Sequence, residues 1–126
     1  MALISPTPLA IPGTDLVDLH IYQWGPMKFG DTCVPVARGD IVDRSIQASG
    51  TFGAGTVCNI QGSNDATSTT TGSYFNLHDP FSNIISMTAA GLAQVTEVTA
   101  WMKPAISSGD GNESITFTIV SRRSLK

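Results

Sequence analysis

Residues 45–65 read SIQASGTFGAGTVCNIQGSND and contain two short runs in which apolar and polar side chains alternate. In the first run Ile46 and Ala48 share one face, and in the second run Cys58 and Ile60 share one face. A period of two is typical of a half-buried β-strand. The stretch therefore predicts two strands joined by the glycine-rich segment between them.

The glycine cluster between these runs consists of Gly50, Gly53 and Gly55. Its spacing matches neither of the glycine-rich phosphate-binding motifs, and no lysine follows it. A phosphate-binding loop also needs the N-terminus of a helix behind it, whereas a strand pattern follows Gly55. We therefore predict a hairpin turn here and no phosphate site.

Alternation with a period of two recurs along most of the chain. It is found in residues 16–24, 95–103 and 114–121, and no stretch of ten residues has a convincing helical period. About eight short strands at this even spacing are typical of an antiparallel sandwich or barrel. We predict an all-β fold for residues 15–126, an antiparallel β-sandwich of jelly-roll-like form. Periodicity does not specify the strand order, so other sandwich topologies stay open.

The same alternation predicts which side chains face the core. In residues 16–24, one face carries Val17, Leu19 and Ile21 and the other carries Asp18, His20 and Tyr22. In residues 95–103, we expect Val98, Ala100 and Met102 inward and Glu97, Thr99, Trp101 and Lys103 outward. The segment HDPFSN predicts a turn around Pro80, and the segment SSGDGN predicts a hairpin loop at 107–112.

Residues 1–14 differ from the rest, and we predict an extended N-terminal arm there. Three prolines favour an extended conformation and interrupt the helical stretch that a signal peptide needs: Pro6, Pro8 and Pro12. The apolar side chains of the arm would be exposed in water, so we expect them to lie on the chain's own body or on a neighbour: Leu3, Ile4, Leu9 and Ile11.

The 126 residues carry few charges, at 13% of the chain, about half the usual share. Hydrophobic residues make up 41% and the net charge is −3, which is the composition of a folded chain. A surface with few ions is cheaply desolvated against a partner. The basic residues cluster only at the C-terminal end (Arg122, Arg123, Lys126), and no apolar run approaches the ~20 residues of a membrane span. We predict neither nucleic acid nor membrane as a partner.

Few residues have the spacing of a chemical site. Cys33 and Cys58 lack the further ligands of a metal site, and they either pair as a disulfide or stay reduced and buried. His20 and His78 have acidic neighbours in sequence, but no nucleophile motif accompanies them. We predict no enzyme and no catalytic residue.

A second candidate site is the run GDGNES at 109–114, where Asp110, Asn112 and Glu113 offer oxygen ligands. The run does not fit a calcium loop and makes a good β-turn. We predict no metal and no cofactor.

Four aromatic residues leave two readings open: Tyr22, Trp24, Tyr74 and Trp101. They could form a sugar-stacking platform, as in carbohydrate-binding modules. They could instead lie at the rim of a sandwich or at a subunit interface, where Trp and Tyr supply large contact areas. The second reading is preferred, with Trp24 and Trp101 as interface residues.

Four segments between about residues 40 and 123 carry a family resemblance: DRSIQASGTFGAGTVCNIQGSND, FNLHDPFSNIISM, the 95–102 strand that leads into Lys-Pro, and GDGNESITFTIVSRR. In this order they resemble small virion structural proteins of tailed bacteriophages, of the capsid decoration or cement type. The first segment also resembles discoidin-type sandwiches, although Ala66 and a Ser/Thr tract stand where a Gly and a Trp are usual.

The resemblance implies a non-enzymatic protein that binds the outside of the capsid and cements neighbouring shell subunits. The implied partners are the major capsid protein and further copies of this chain, as a dimer or trimer on the virion surface. The expected contact residues are those of the arm and the interface: Leu3, Ile4, Leu9, Ile11, Trp24, Trp101, Arg122 and Arg123. The alternative is a carbohydrate- or receptor-binding β-sandwich module of a phage tail or baseplate.

Overall fold

The computed structural model describes residues 3–9, 19–37, 43–65 and 73–122, and these residues form strands and loops without a helix. The strands are β1 (Leu3–Ile4), β2 (Thr7–Leu9), β3 (Leu19–Met27), β4 (Thr32–Cys33), β5 (Asp43–Thr51), β6 (Val57–Ser63), β7 (Phe75–Asn76), β8 (Ser86–Met87), β9 (Gly91–Val95), β10 (Trp101–Ser108) and β11 (Ser114–Arg122). A search of this part of the chain for a helix that is long and apolar enough to cross a membrane found none.

The strands form two main sheets and one short pair. The larger sheet has five strands in the order β2-β3-β11-β5-β9, and all of its pairings are antiparallel. In the smaller sheet, β6 pairs with β10 on one side and with β7 and β8 on the other. β1 and β4 form a parallel pair. The predicted all-β antiparallel sandwich is confirmed.

One hydrophobic core lies between the two sheets. Trp24 and Phe117 meet edge to face, with ring centroids 6.4 Å apart, and the indole N–H of Trp24 donates to the carbonyl of Val34 (2.8 Å). Burial of aromatic side chains of this size dominates the free energy of a small core. The rest of the core comes from both sheets and the segments beside them: Met27, Cys33, Val36, Ile46, Ala48, Cys58, Ile60, Leu77, Ile85, Met87, Val95, Met102, Ile115 and Ile119.

β3 turns its Tyr22 and Trp24 side toward the core, not the Ile21 side that the apolar pattern favours. A bulge then allows Met27 to reach the same core, because Trp24 pairs with Phe117 and Met27 with Ile115. Two residues of β3, Gly25 and Pro26, stand opposite one residue of β11 at this bulge. The φ of +137° at Gly25 and its close approach to the Ile115 carbonyl exclude a side chain there. Trp24 and Met27 are three residues apart, so a strict period of two places them on opposite faces and does not predict this bulge.

The two glycine-rich turns are crossovers between the sheets, so the hairpin predictions for them are wrong. β5 belongs to the five-stranded sheet and β6 to the other, and the turn at 52–56 links them. The loop at 109–113 likewise links β10 to β11 in the opposite sheet. The physical reason is that each strand pairs with partners distant in sequence, which a local turn signal does not reveal.

The expected strand at 95–103 begins only at Trp101, and its predicted faces are wrong in part. Met102 lies in the core as expected, but Val98 is exposed while Thr99 and Lys103 are buried. The buried guanidinium of Arg44 donates to the carbonyls of Glu97 (3.1 Å) and Thr99 (3.2 Å). These bonds hold residues 97–99 outside the sheet, which shifts the start of the strand.

The described part of the N-terminal arm is extended, but it pairs with the chain's own sheets. β1 pairs with β4, and β2 pairs with β3 through Thr7↔Gln23 and Leu9↔Ile21. Natural sheets often cover their edges in this way. Of the two alternatives for the arm, residues 3–9 therefore take the first and lie on the chain's own body as two short strands, while the rest of residues 1–14 lies outside the described residues.

Candidate functional site

The five-stranded sheet turns one face to the core and the other outward. Pairing registers align the outward side chains in rows across all five strands. One row is Thr7, Gln23, Thr118, Gln47 and Leu92, and the next is Leu9, Ile21, Val120, Ser45 and Gln94. A shorter third row pairs Thr116 with Ser49. We call these three rows the outer face.

The outer face contains no charged side chain among these twelve residues, and the next row along the strands, which pairs Leu19, Arg122 and Asp43, forms its border at one end. Its polar groups are hydroxyls and amides, and some bond within the face, as Gln23 Nε2 does to Thr118 Oγ1 (3.2 Å). Removing such groups from water costs far less than removing an ion. The outer face can therefore be covered by a partner cheaply, and its hydroxyls and amides can exchange water for partner hydrogen bonds.

The two lateral strands of the outer face carry exposed leucines. Leu9 on β2 is 41% exposed and Leu92 on β9 is 72% exposed. These strands stand at opposite ends of the five-strand order, so apolar contacts lie at both sides of the uncharged rows. This arrangement gives a broad uncharged surface with an exposed leucine at each side, while the strands between them carry hydroxyls and amides together with the apolar Ile21 and Val120.

A loop at residues 78–84 interrupts the edge of the smaller sheet between β7 and β8; we call it the Phe81 loop. The carboxylate of Asp79 accepts the backbone N–H groups of Phe81 (2.9 Å) and Asn83 (3.0 Å). The Asp79 N–H donates to the Asn83 carbonyl (2.9 Å), and a His78–Ile84 bridge closes the base. The loop thus holds Phe81 in a fixed place with 85% of its surface exposed.

A groove of about 400 Å³ lies beside the base of this loop. His78 Nδ1 and Glu97 Oε2 meet there at 2.5 Å, and the backbone N–H of His78 also donates to Glu97 (2.7 Å). Burial tends to raise the pKa of Glu97, but the hydrogen bonds from His78 lower it by more. The pKa of Glu97 therefore lies below its usual value. The exposed ring of Phe75 lines the same groove.

Glu113, considered above as a calcium ligand, is buried and already satisfied. Its carboxylate accepts the backbone N–H of Phe29 (3.0 Å), the hydroxyl of Thr56 (2.8 Å) and the backbone N–H groups of Asp110 (2.7 Å) and Gly111 (3.1 Å). These hydrogen bonds lower the pKa of Glu113 to about 2, and the bond from the Phe29 N–H has the largest effect. Glu113 therefore ties three loops together, and among the described residues no cluster of metal-ligating side chains was found.

The structure separates the predicted contact residues into several environments. Leu3 is 63% exposed and Leu9 lies on the outer face, whereas Ile4 packs against the core. Trp24 is fully buried and has no surface to offer a partner. Trp101 is half-buried at the start of β10. Arg122 ends β11 with its side chain outside the described set, and Ile11 and Arg123 also lie outside it.

The aromatic platform considered for sugar stacking does not assemble from the predicted residues. Trp24 is in the core and Tyr22 packs against it. Tyr74 has its ring 4.6 Å from the Lys103 ammonium, whose pKa is lowered by burial. Phe75 is the exposed aromatic residue in the groove, and sequence reasoning missed it.

Cys33 and Cys58 are both buried and free, so the reduced alternative is the one found. Burial raises the pKa of each thiol to about 12, which removes the reactive thiolate at neutral pH. The Cys33 thiol contacts the sulfur of Met27 (3.5 Å) in the core.

Sequence reasoning also missed Phe81 and the outer face. The turn around Pro80 was predicted, but not that it presents an aromatic side chain to solvent. The signal that could have found this edge is a long stretch without charge, from Pro80 to Thr96. The outer face could not be found in this way, because its residues come from five separate segments.

Comparison with protein-family models, curated proteins and solved structures found no match to this chain.

Proposed function

We propose that this chain is a non-enzymatic virion protein of a tailed bacteriophage, which binds the outside of the capsid and cements neighbouring shell subunits. The observation that carries the proposal is the uncharged outer face with a leucine at each side. A cement protein needs a rigid surface that loses water cheaply and reaches more than one neighbour. The resemblance of residues 40–123 to decoration proteins supports the same function.

Binding through the outer face has a simple physical basis. Leu9 and Leu92 each contribute burial at about 25 cal/mol per Å² of apolar area removed from water. The Thr, Ser and Gln side chains between them form hydrogen bonds with the shell in place of water. Each contact is weak, but repeated sites on a lattice raise occupancy through effective concentration. The mechanism requires no catalytic residue, metal or cofactor.

A charge placed in the middle of the outer face tests this function. Gln47→Lys puts an ammonium in the central row, and Asn112→Lys adds the same charge at an exposed position of the 109–113 loop. We expect Gln47→Lys to bind undecorated capsids at least about tenfold more weakly in co-sedimentation, since an unpaired buried charge is costly. The Asn112→Lys control should bind like the unmodified chain. Equal binding by all three proteins would refute contact through the outer face.

The groove beside the Phe81 loop favours a second candidate, a carbohydrate- or receptor-binding module of a phage tail or baseplate. Sugar sites combine an aromatic face with fixed amide and carboxylate groups, and the groove contains Phe75 near Asn64 and Asn76. The amide oxygens of Asn64 and Asn76 accept the Ala100 N–H (3.0 Å) and Gln61 Nε2 (3.2 Å), which fixes both side chains.

A glycan array separates the two candidates. Saturable binding that Phe75→Ala abolishes and Gln47→Lys leaves intact would favour the module. Absence of glycan binding together with capsid binding would favour the cement protein.

A further inference from the structure

The Phe81 loop and a second groove form one continuous edge of the molecule. This groove has a volume of about 340 Å³ and lies between β8 and β9; we call it the edge groove. Its lining includes Asp79 and Ile84, which flank the tip of the Phe81 loop, and Met87, Thr88 and Leu92. A protruding aromatic ring and a recess therefore lie side by side on the same patch.

This patch lacks the features by which natural sheets protect their edges. Edge strands usually carry charges or are covered, because their unpaired backbone groups invite other strands. Within the described residues β9 pairs only with β5 and ends the five-stranded sheet. From Pro80 to Thr96 the sequence has no charged residue, and Asp79 at the rim uses its carboxylate inside the loop.

We propose that two copies of the chain associate through this edge about a two-fold axis, with Phe81 of each copy in the edge groove of the other. A two-fold contact requires a protrusion and a matching recess on one self-complementary patch, which this edge provides. The lining of the edge groove contains one charged residue, Asp79, whose carboxylate accepts two backbone N–H groups of its own loop, and residues 80–96 add no further charge. The symmetric contact therefore opposes few like charges.

The energetics favour Phe81 as the anchor of this contact. Buried aromatic residues at the centre of an interface carry a large share of the binding free energy. The hydrogen bonds of Asp79 already fix the loop, so little conformational entropy is lost when Phe81 is buried. The edge groove is close in size to the smallest pockets that hold small ligands, which suits one aromatic side chain.

The contact deepens the proposed function and rests on it for its purpose, since a dimer carries two outer faces that can bind a shell. Leu92 lies at the border between the edge groove and the outer face, and both contacts share it. Its test uses no capsid, so the two proposals fail separately. A dimer that ignores capsids refutes the cement function alone. A monomer that decorates capsids refutes the self-contact alone.

Analytical ultracentrifugation of the full chain and two variants tests the self-contact. We expect the unmodified chain to sediment as a dimer and Phe81→Asp to raise the dimer dissociation constant at least about thirtyfold. Phe75→Asp is the matched control, an exposed phenylalanine outside the edge groove, and should stay dimeric. A monomeric unmodified chain, or equal dissociation constants for both variants, would overturn the proposal.

Cross-linking between copies provides a second readout that keeps Phe81 in place. Cys33 and Cys58 are buried with raised pKa values, so an introduced surface cysteine reacts selectively. A mixture of Ser82→Cys and Thr88→Cys chains should form a disulfide-linked heterodimer under mild oxidation. Ser82→Cys mixed with Ser45→Cys, an exposed position on the outer face, should not. Equal cross-linking in both mixtures would contradict the assigned contact.

Discussion

Glu113 shows how a single buried carboxylate fixes the loops at one end of this sandwich. Four hydrogen bonds reach it from three separate segments, and no local sequence pattern predicts them. From the sequence alone, the carboxylate of Glu113 was considered as a calcium ligand. A sequence shows which residues carry oxygen ligands, but it does not show which groups those oxygens bond in the fold. The backbone N–H groups occupy the position that a cation would need.

The low pKa of Glu113 predicts an acid-dependent loss of stability. Its pKa is lowered from 4.5 to about 2, so the folded state binds this proton less readily than the unfolded state. The contribution is therefore complete above about pH 4.5 and is lost as the pH falls toward about 2. Glu113→Gln should lower the melting temperature at neutral pH, and the difference from the unmodified chain should shrink across this window. Thermal melts that differ equally at neutral pH and at the acid end of the window would contradict the assignment.

The turns and strands show where local sequence is informative and where it is not. Alternation at Ile46, Ala48, Cys58 and Ile60 correctly predicts two strands whose inward residues join one core. It does not predict that these strands belong to different sheets, because sheet membership depends on partners distant in sequence. The glycine cluster lies at this crossover, because residues without a side chain allow the backbone to pass close to other backbone.

Gly50 and Gly55 allow a matched test of the crossover. Both have positive φ, but a Cβ on Gly50 would lie 2.1 Å from the Ser114 carbonyl oxygen, whereas a Cβ on Gly55 would meet nothing within 4 Å. Gly55→Ala should cost about 1 kcal/mol of unfolding free energy, from backbone strain alone. Gly50→Ala should cost at least about twice as much, since β5 and β11 must also move apart. Equal midpoints in urea denaturation would show that the close approach is unimportant.

At the scale of the whole molecule, the sequence predicted the fold class more fully than the surfaces. The low charge content predicted a surface with few ions, but not that Thr118, Gln47 and Leu92 would align in one row. Trp24 was expected at an interface and lies in the core, because β3 turns its Tyr22 and Trp24 side inward. The sequence predicted the turn around Pro80, but a turn pattern does not show that Phe81 is exposed. Surfaces assembled from several strands need the strand order, which periodicity does not contain.

The outer face is the centre of this account, and the orientation of the chain on a particle tests it most directly. Cryo-electron microscopy of virions from the source of this sequence should show the chain outside the capsid. The strands β3, β11 and β5 should lie against shell subunits, with Gln47 and Thr118 at the contact. Density that places the chain outside the capsid with this face toward solvent, or virions that lack the chain, would contradict the account.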